Sequence, residues 1–205
     1  MKIYDNIKQI EKKTWEQRKL GELGETYSGL AGKTKEDFNH GDGKFITYMN
    51  VYSNTIARAE GVQRVEIDHK QSQVKYGDIL FTISSETPQE VAMSSVWLFE
   101  SENTYLNSFC FGYSFKNKPG SFYYWGYYLR SPKLRHHFSV LAQGISRYNI
   151  SKNKVLGTDV DIPKSAEQRK IGTAFKKLDD LIAANEYNHK NALNIRVRFY
   201  PCIFT

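Results

Sequence analysis

Several groups of residues in this 205-residue chain have types and spacings that chemistry could use. Asp68-His69-Lys70 has the acid-x-Lys spacing with which metal-dependent nucleases hold a cation and position water. Such sites draw a further carboxylate from a separate element, and no upstream Pro-Asp supplies it. A solvated loop before Gly77 is the plainer reading, because charged triplets are frequent in loops. His136 and His137 are adjacent rather than one helical turn apart, so they face different directions and do not share a metal easily. They read either as helix-surface residues or as donors added to a basic helix beside Arg130, Lys133 and Arg135. Asp179 and Asp180 alternate with lysines on a helix, which describes a salt-bridged outer face rather than an acid/base pair. No GxGxxG follows a strand, and neither a P-loop nor an Asn/Asp-Pro-Pro-Tyr run is present. Neither a nucleotide or methyl-donor site nor a metal site at the histidines is expected, and no cofactor is implied.

What is left is a turn rich in donors. In "LAQGISRYNIS", residues 141–151, a helix-stopping glycine is followed by Ser146, Arg147, Tyr148 and Asn149, with no acid among them. Arginine pairs with guanine edges or phosphate, asparagine with adenine edges, and serine or tyrosine with phosphate. The residues alone fit a DNA contact and an Asn-type turn with a surface arginine equally well.

The elements that must position this turn follow from period and punctuation. "KFITYMNVY" (44–52), "GDILFTIS" (77–84), "VAMSSVWLFE" (91–100) and "YLNSFCFGYSF" (105–115) are β-branched and aromatic with partial alternation, which predicts a mainly β core. "FYYWGYYLRSPKLRHHFSVLAQG" predicts two helical segments broken near Arg130, with Ser131-Pro132 as cap and first turn and Gly144 as the C-terminal stop. The aromatic cluster in it reads as core rather than as a base-stacking platform. "VLGTDVDIP" returns to a strand that ends at Pro163. From Ser165 a capping box with Gln168 opens a helix whose Ile171, Phe175, Leu178 and Ile182 follow at spacings of four, three and four. The same register continues through Asn185, His189, Ala192 and Arg196, so the seam turns polar, and Pro201 ends it.

The fold class expected is α+β: a mainly β globular domain over 1–163, a long coiled-coil-forming helix over 164–198, and an irregular tail over 199–205. Lysine and arginine number 29 against 22 acids, a formal charge of +7, which favours a polyanionic partner without naming it. Cys110 and Cys202 lie far apart with no CxxC spacing, so neither a zinc site nor a disulfide framework is indicated, and a reduced cytoplasm fits. The first residues lack an apolar signal core, and no segment approaches the ~18 consecutive apolar residues of a membrane span.

Four segments in order, "TWEQRKLGELGETYSG", "YGDILFT", "AQGISRYNISKNKVLGTDVDIP" and "SAEQRKIGTAFKKLDDLIAANE", resemble the specificity subunit of type I restriction-modification enzymes across roughly residues 14–186. The resemblance implies a target recognition domain that clamps one half of a bipartite duplex-DNA site. It implies a helix that pairs in an antiparallel coiled coil, spaces the recognition domains and docks the modification (methyltransferase) subunits, with the restriction subunit engaged indirectly. It also implies no catalysis by this chain. One recognition domain and one helix in place of two of each read as half a subunit, which could form a homodimer through the helix. On this reading Ser146, Arg147, Tyr148 and Asn149 are first choices for DNA contact. Lys33 and Lys35 in "SGLAGKTKED", Ser84 and Ser85 in "ISSET", and Arg130 and Lys133 are further candidates. Ile171, Phe175, Leu178 and Ile182 are the expected subunit interface. Two rivals are a regulator or decoy that binds modification subunits without binding DNA, and an RNA-binding module. The second is disfavoured by the lack of an aromatic RNP strand motif or a basic GxxG clamp.

Overall fold

Strand β5 (Ile79–Thr82) sets the plan of the molecule, because its alternation serves two cores. Ile79 and Phe81 enter one apolar cluster while Leu80 enters another. The neighbouring β9 (Cys110–Phe115) does the same, with Phe111 and Tyr113 on the first side and Cys110 on the second. A strand whose side chains alternate between opposite faces can bury both faces only if each is covered. Each large apolar side chain so enclosed contributes about 1.5–3 kcal/mol relative to exposure.

The computed structural model describes residues 15–199, and side chains through residue 187. Its central sheet is antiparallel and runs β2 (Gly24–Ser28), β9, β5, β7 (Ser94–Val96). One face is covered by Trp125 and Leu129 of α3 (Phe122–Leu129) and by Leu134 and Phe138 of α4 (Pro132–Leu141). The other meets a three-stranded sheet, β4 (Val62–Val65), β3 (Phe38–Ile46), β8 (Thr104–Leu106), through Ile46 and Leu106. Val51 of α2 (Tyr48–Ser53) closes that cluster. Two short ladders complete the strands: β1 (Glu16–Lys19) with β11 (Asp159–Ile162), and β6 (Ser84–Ser85) with β10 (Tyr148–Asn149). Short helices α1 (Leu20–Leu23) and α5 (Lys152–Leu156) join them, and α6 (Ser165–Phe199) follows β11. The class is α+β, a strand-dominated globular part followed by one long helix.

Local chemistry overrides the expected elements at five places. The run 44–52 is not one strand: β3 stops at Ile46, and the Thr47 side chain caps α2 by accepting from the Asn50 N–H at 3.2 Å. The run 105–115 is split by an Asx turn, in which Asn107 Oδ1 accepts from the Phe109 N–H, so β8 and β9 lie in different sheets. In 91–100 only Ser94–Val96 pairs as strand. The first helical pair ends at Ala142, not Gly144, because the chain turns extended at Ala142. Gln168 does not close a capping box on Ser165; it accepts from the Ser121 N–H at 3.3 Å and donates to the Pro163 carbonyl at 3.0 Å. The break at Arg130 and the aromatic core of α3 match expectation: Tyr124 and Trp125 are 2% exposed.

The long helix leans on the domain with its first turns. Ile171 packs against the main core, and Phe175 stacks on Tyr127 at 5.3 Å between ring centroids. Tyr127 Oη donates to Asp179 at 2.7 Å. Gly172 makes this approach feasible, since a Cβ there would lie 2.6 Å from the Tyr124 nitrogen. A glycine inside a helix costs about 1 kcal/mol relative to alanine, and here close packing offsets it. Beyond that point Leu178, Leu181 and Ile182 are all more than half exposed. The side chains of His189, Ala192 and Arg196, which carry the polar end of the seam, and residues 200–205 of the tail, with Cys202, lie outside the described residues. Among the described residues no helix is long and apolar enough to cross a membrane.

Candidate nucleic-acid interface

At one end of the central sheet Ser28, Thr82 and Cys110 finish or begin three adjacent strands, in register as Ser28↔Phe111 and Thr82↔Cys110. Three loops therefore leave the sheet at the same end. One follows Ser28 and carries Lys33 and Lys35; one carries Ser84 to Glu90; one is the Asn107 turn with Phe109. The "SRYN" turn is brought to this end by backbone pairing, with Tyr148 opposite Ser85 and Asn149 opposite Ser84. Ile150 N–H also donates to the Ile83 carbonyl at 3.0 Å. On its other side Asn149 exchanges two backbone hydrogen bonds with Gln143, 2.8 and 2.9 Å. Gly144 closes the loop at φ +145°, and a Cβ there would lie 2.0 Å from the Arg147 carbonyl. The turn is thus held at both strands, while Ser146, Arg147 and Asn149 stay exposed.

Arg147 lies over the Phe109 ring, 5.3 Å from its centroid, and among the described residues it forms no ion pair. A guanidinium steadied on an aromatic face keeps its planar fork of donors free. The Asn149 amide nitrogen leans toward the Arg147 carbonyl at 3.4 Å, and Tyr148 is half-buried against the core. Ser85 Oγ donates to Glu90 at 3.0 Å. Lys35 is exposed in a 3-10 turn (Lys35–Asp37).

The remaining sequence candidates are engaged by other groups of the domain. Ser84 is buried, and its place in the ladder turns the side chain away from solvent. Lys33 lies 3.0 Å from Asp68 and 3.9 Å from Asp37, with its side chain 13% exposed. The hydrogen bond from Lys33 holds the Asp68 carboxyl down at about 2. Lys133 pairs with Asp161 at 2.5 Å. Arg130 is half-buried and donates to the carbonyls of Ser94, Val51, Tyr52 and Asn54 at 2.5–3.0 Å. It is a cap for four backbone acceptors, not a surface donor, because a chain that crowds carbonyls at a helix break must satisfy them.

Sequence reasoning passed over the other wall of the site. A shallow cleft of about 240 Å³ is lined by Tyr48, Met49, Tyr52, Ser85, Glu90 and Arg147. Tyr48 and Tyr52 lie one helical turn apart and stack at 6.0 Å, and Tyr48 Oη donates to the Ser84 carbonyl at 2.7 Å. The signal was their i, i+4 spacing, hidden by reading 44–52 as a strand. Lys152, also passed over, reaches Ser28 Oγ at 2.6 Å at the same sheet end. A larger cleft of about 760 Å³ lies at the opposite sheet end around Asp78. Asp78 accepts from Tyr27 Oη, Ser114 Oγ and the Lys75 N–H at 2.7–2.8 Å, a closed network that serves folding, although burial pushes its carboxyl up. Among the described residues no three His, Cys, Asp or Glu side chains group as a metal site, and Asp68 bonds to Lys33, the Lys70 N–H and Gln71 as a loop residue does.

Solved structures share this architecture. The S subunit of a type I restriction-modification system from M. genitalium is 14% identical with a TM-score of 0.55, over 89% of this chain and 45% of that one. A chain from a structure addressing complex assembly and conformational transition of the type I R-M system is 15% identical at a TM-score of 0.65, over 91% and 44%. The HsdS subunit from Thermoanaerobacter tengcongensis is 16% identical at 0.60, over 86% and 40%. At such identities the likeness establishes the fold, and this chain spans less than half the length of each. A search of curated proteins finds no match. The family model for the type I restriction modification DNA specificity domain, however, matches residues 12–194, almost the whole described chain, and the chain belongs to that family.

Proposed function

We propose that this chain reads one half of a bipartite duplex-DNA target for a type I restriction-modification system and docks that system's modification subunits through α6. The family's role is DNA specificity without catalysis. The observation that carries the finer reading is the β6–β10 ladder, which fixes Arg147 and Asn149, two base-pairing side chain types, exposed on one rigid ribbon at a sheet end. The net charge of +7 supplies the sequence-independent attraction to phosphate, with Lys35 and Lys152 at the same end. Neighbouring side chains restrain the contact residues before DNA arrives, so little ordering opposes binding. Methyl transfer and cleavage then belong to partner chains, with the restriction subunit held indirectly, and the setting is the cytoplasm.

The exposed stripe of Leu178, Leu181 and Ile182 supports the docking half of the proposal and also a second reading, a decoy that occupies modification subunits without DNA. Enrichment of duplexes from a randomised pool by the chain with its modification subunits tests both. A defined half-site is expected. Capture of modification subunits with no enriched motif would favour the decoy.

A further inference from the structure

The cleft beside the ribbon holds a carboxylate where a polyanion would approach. Glu90 Oε1 accepts from Tyr52 Oη at 2.5 Å, and its Oε2 accepts from Ser85 Oγ at 3.0 Å and Thr87 Oγ1 at 2.9 Å. These hydrogen bonds hold its carboxyl below the usual range, so it stays ionised. Its backbone is equally fixed. Arg135 straddles it, donating to the Gln89 carbonyl at 2.7 Å on one side and the Val91 carbonyl at 2.5 Å on the other. Arg130 fixes the opposite wall through the carbonyls of Val51 and Tyr52. Both guanidinium groups are therefore committed to backbone, and among the described residues Arg147 is the one cation lining the cleft.

A carboxylate repels phosphate, and Glu86 beside it adds to that repulsion, so Glu90 itself is no phosphate contact. The donors a duplex exposes in its major groove are the amino groups of adenine and cytosine. Adenine sets an acceptor, N7, next to its amino group, and that lone pair would face the carboxylate. Cytosine presents its N4 amino group with C5–H beside it on its own edge, and no acceptor of that base faces the carboxylate. We propose that Glu90 is a base-reading residue whose carboxylate accepts a hydrogen bond from the N4 amino group of a cytosine in the major groove. Oε1 keeps a lone pair beyond the one given to Tyr52, and Arg147 in the same cleft is placed for O6 and N7 of a guanine in that pair or the next. Tyr52, Ser85 and Thr87 are positioning residues for the carboxylate. This assignment rests on the DNA-binding reading above.

The test compares motifs enriched from a randomised duplex pool by the wild-type chain and by Glu90→Gln, each with modification subunits. The variant is expected to lose preference for cytosine at one position while the other positions persist. A motif identical to wild type, or affinity changed evenly on every sequence, would overturn the assignment and leave Glu90 as a loop pin. Wild-type protein supplies a second measurement that does not depend on the variant folding. Each cytosine of the enriched duplex is replaced in turn by 2-pyrimidinone, which lacks only the amino group. A loss of roughly tenfold at one position is expected. Unchanged binding at all of them, or a motif with no cytosine, overturns Glu90 alone. Absence of any wild-type motif overturns the DNA reading, and this assignment with it.

Discussion

Arg147 rests on the ring of Phe109, 5.3 Å from its centroid, so the turn after α4 and the Asn107 turn at the same sheet end act as one surface. The ring carries no charge and offers no hydrogen bond of its own; it aims the guanidinium. Arg147→Ala is expected to weaken cognate duplex binding by roughly 1–3 kcal/mol if the residue reads a base, with the loss confined to one position. If it touches phosphate instead, binding falls on all sequences and the slope of log affinity against log salt decreases by about 1. Phe109→Ala should give a smaller loss of the same kind. Fluorescence anisotropy at two salt concentrations separates these outcomes, and unchanged affinity with an intact circular dichroism spectrum would remove Arg147 from the interface.

Arg130 is expected to matter for folding before it matters for DNA. Burial, with Arg135 nearby, pulls its pKa down to about 10, so it remains charged at neutral pH. Arg130→Met keeps much of the stem but strands four carbonyls that now share one guanidinium. A loss of about 3–5 kcal/mol is expected from urea unfolding, in line with removal of one partner of a buried charged network. A change below about 1 kcal/mol would mean that water replaces the guanidinium at those carbonyls.

How far the fold could be read from the sequence differs from one element to the next. The break at Arg130 was legible because Ser131-Pro132 carries its own backbone geometry, and the aromatic run of α3 because such large side chains must be enclosed. The end of β11 before Pro163 was legible for the same local reason. Residues 44–52 were not, since β-branched and aromatic residues fit a strand while a single Thr47 side chain decides for a helix. The site divides along the same line. Arg147 and Asn149 stand out in the sequence by type, and the structure leaves both exposed after Gly144, which closes the loop instead of stopping the helix. Arg130 and Lys33 look identical to surface donors in sequence, and only the carbonyls and carboxylates that meet them in space reveal their use. Glu90 and Tyr52 are 38 residues apart, and no spacing rule joins them.

The Lys33–Asp68 pair gives a pH signature for the loop that follows β2. Asp68 has its carboxyl lowered from an ordinary 3.8 to about 2, first by the Lys33 hydrogen bond and then by the Lys70 N–H. A carboxyl depressed in the folded state adds stability that is present above its unfolded pKa and is lost as pH falls through the folded one. The ordering of the loop is therefore expected to persist down to about pH 4 and to fade between about pH 4 and pH 2. Carboxyl-carbon chemical shifts of Asp68 followed by NMR should show the low midpoint, and Lys33→Ala should move it upward toward the ordinary value. An unmoved midpoint would show that the backbone donors alone set it.

Assembly should depend on the outer part of α6 and not on its first turns. Ile171 packs against the core, and Phe175 is stacked on Tyr127, so both are at least partly engaged by their own domain. Leu178, Leu181 and Ile182 are 54%, 62% and 56% exposed, and on the proposed function this stripe is the surface that a second copy or a modification subunit would cover. If two copies pair two-fold, the two recognition domains are identical and related by that axis, and the target becomes a symmetric interrupted palindrome. Replacing Leu178 and Ile182 with Asp is expected to leave the fold and its melting temperature nearly unchanged, because neither side chain is buried in the domain. The same double variant should reduce the sedimenting mass to that of one chain and abolish recruitment of the modification subunit. Phe175→Asp, by contrast, should also loosen α6 from α3 and lower the melting temperature. Sedimentation with and without the modification subunit distinguishes them: a parent chain that is already monomeric, with a double variant that still recruits the subunit, places the assembly surface elsewhere on the molecule.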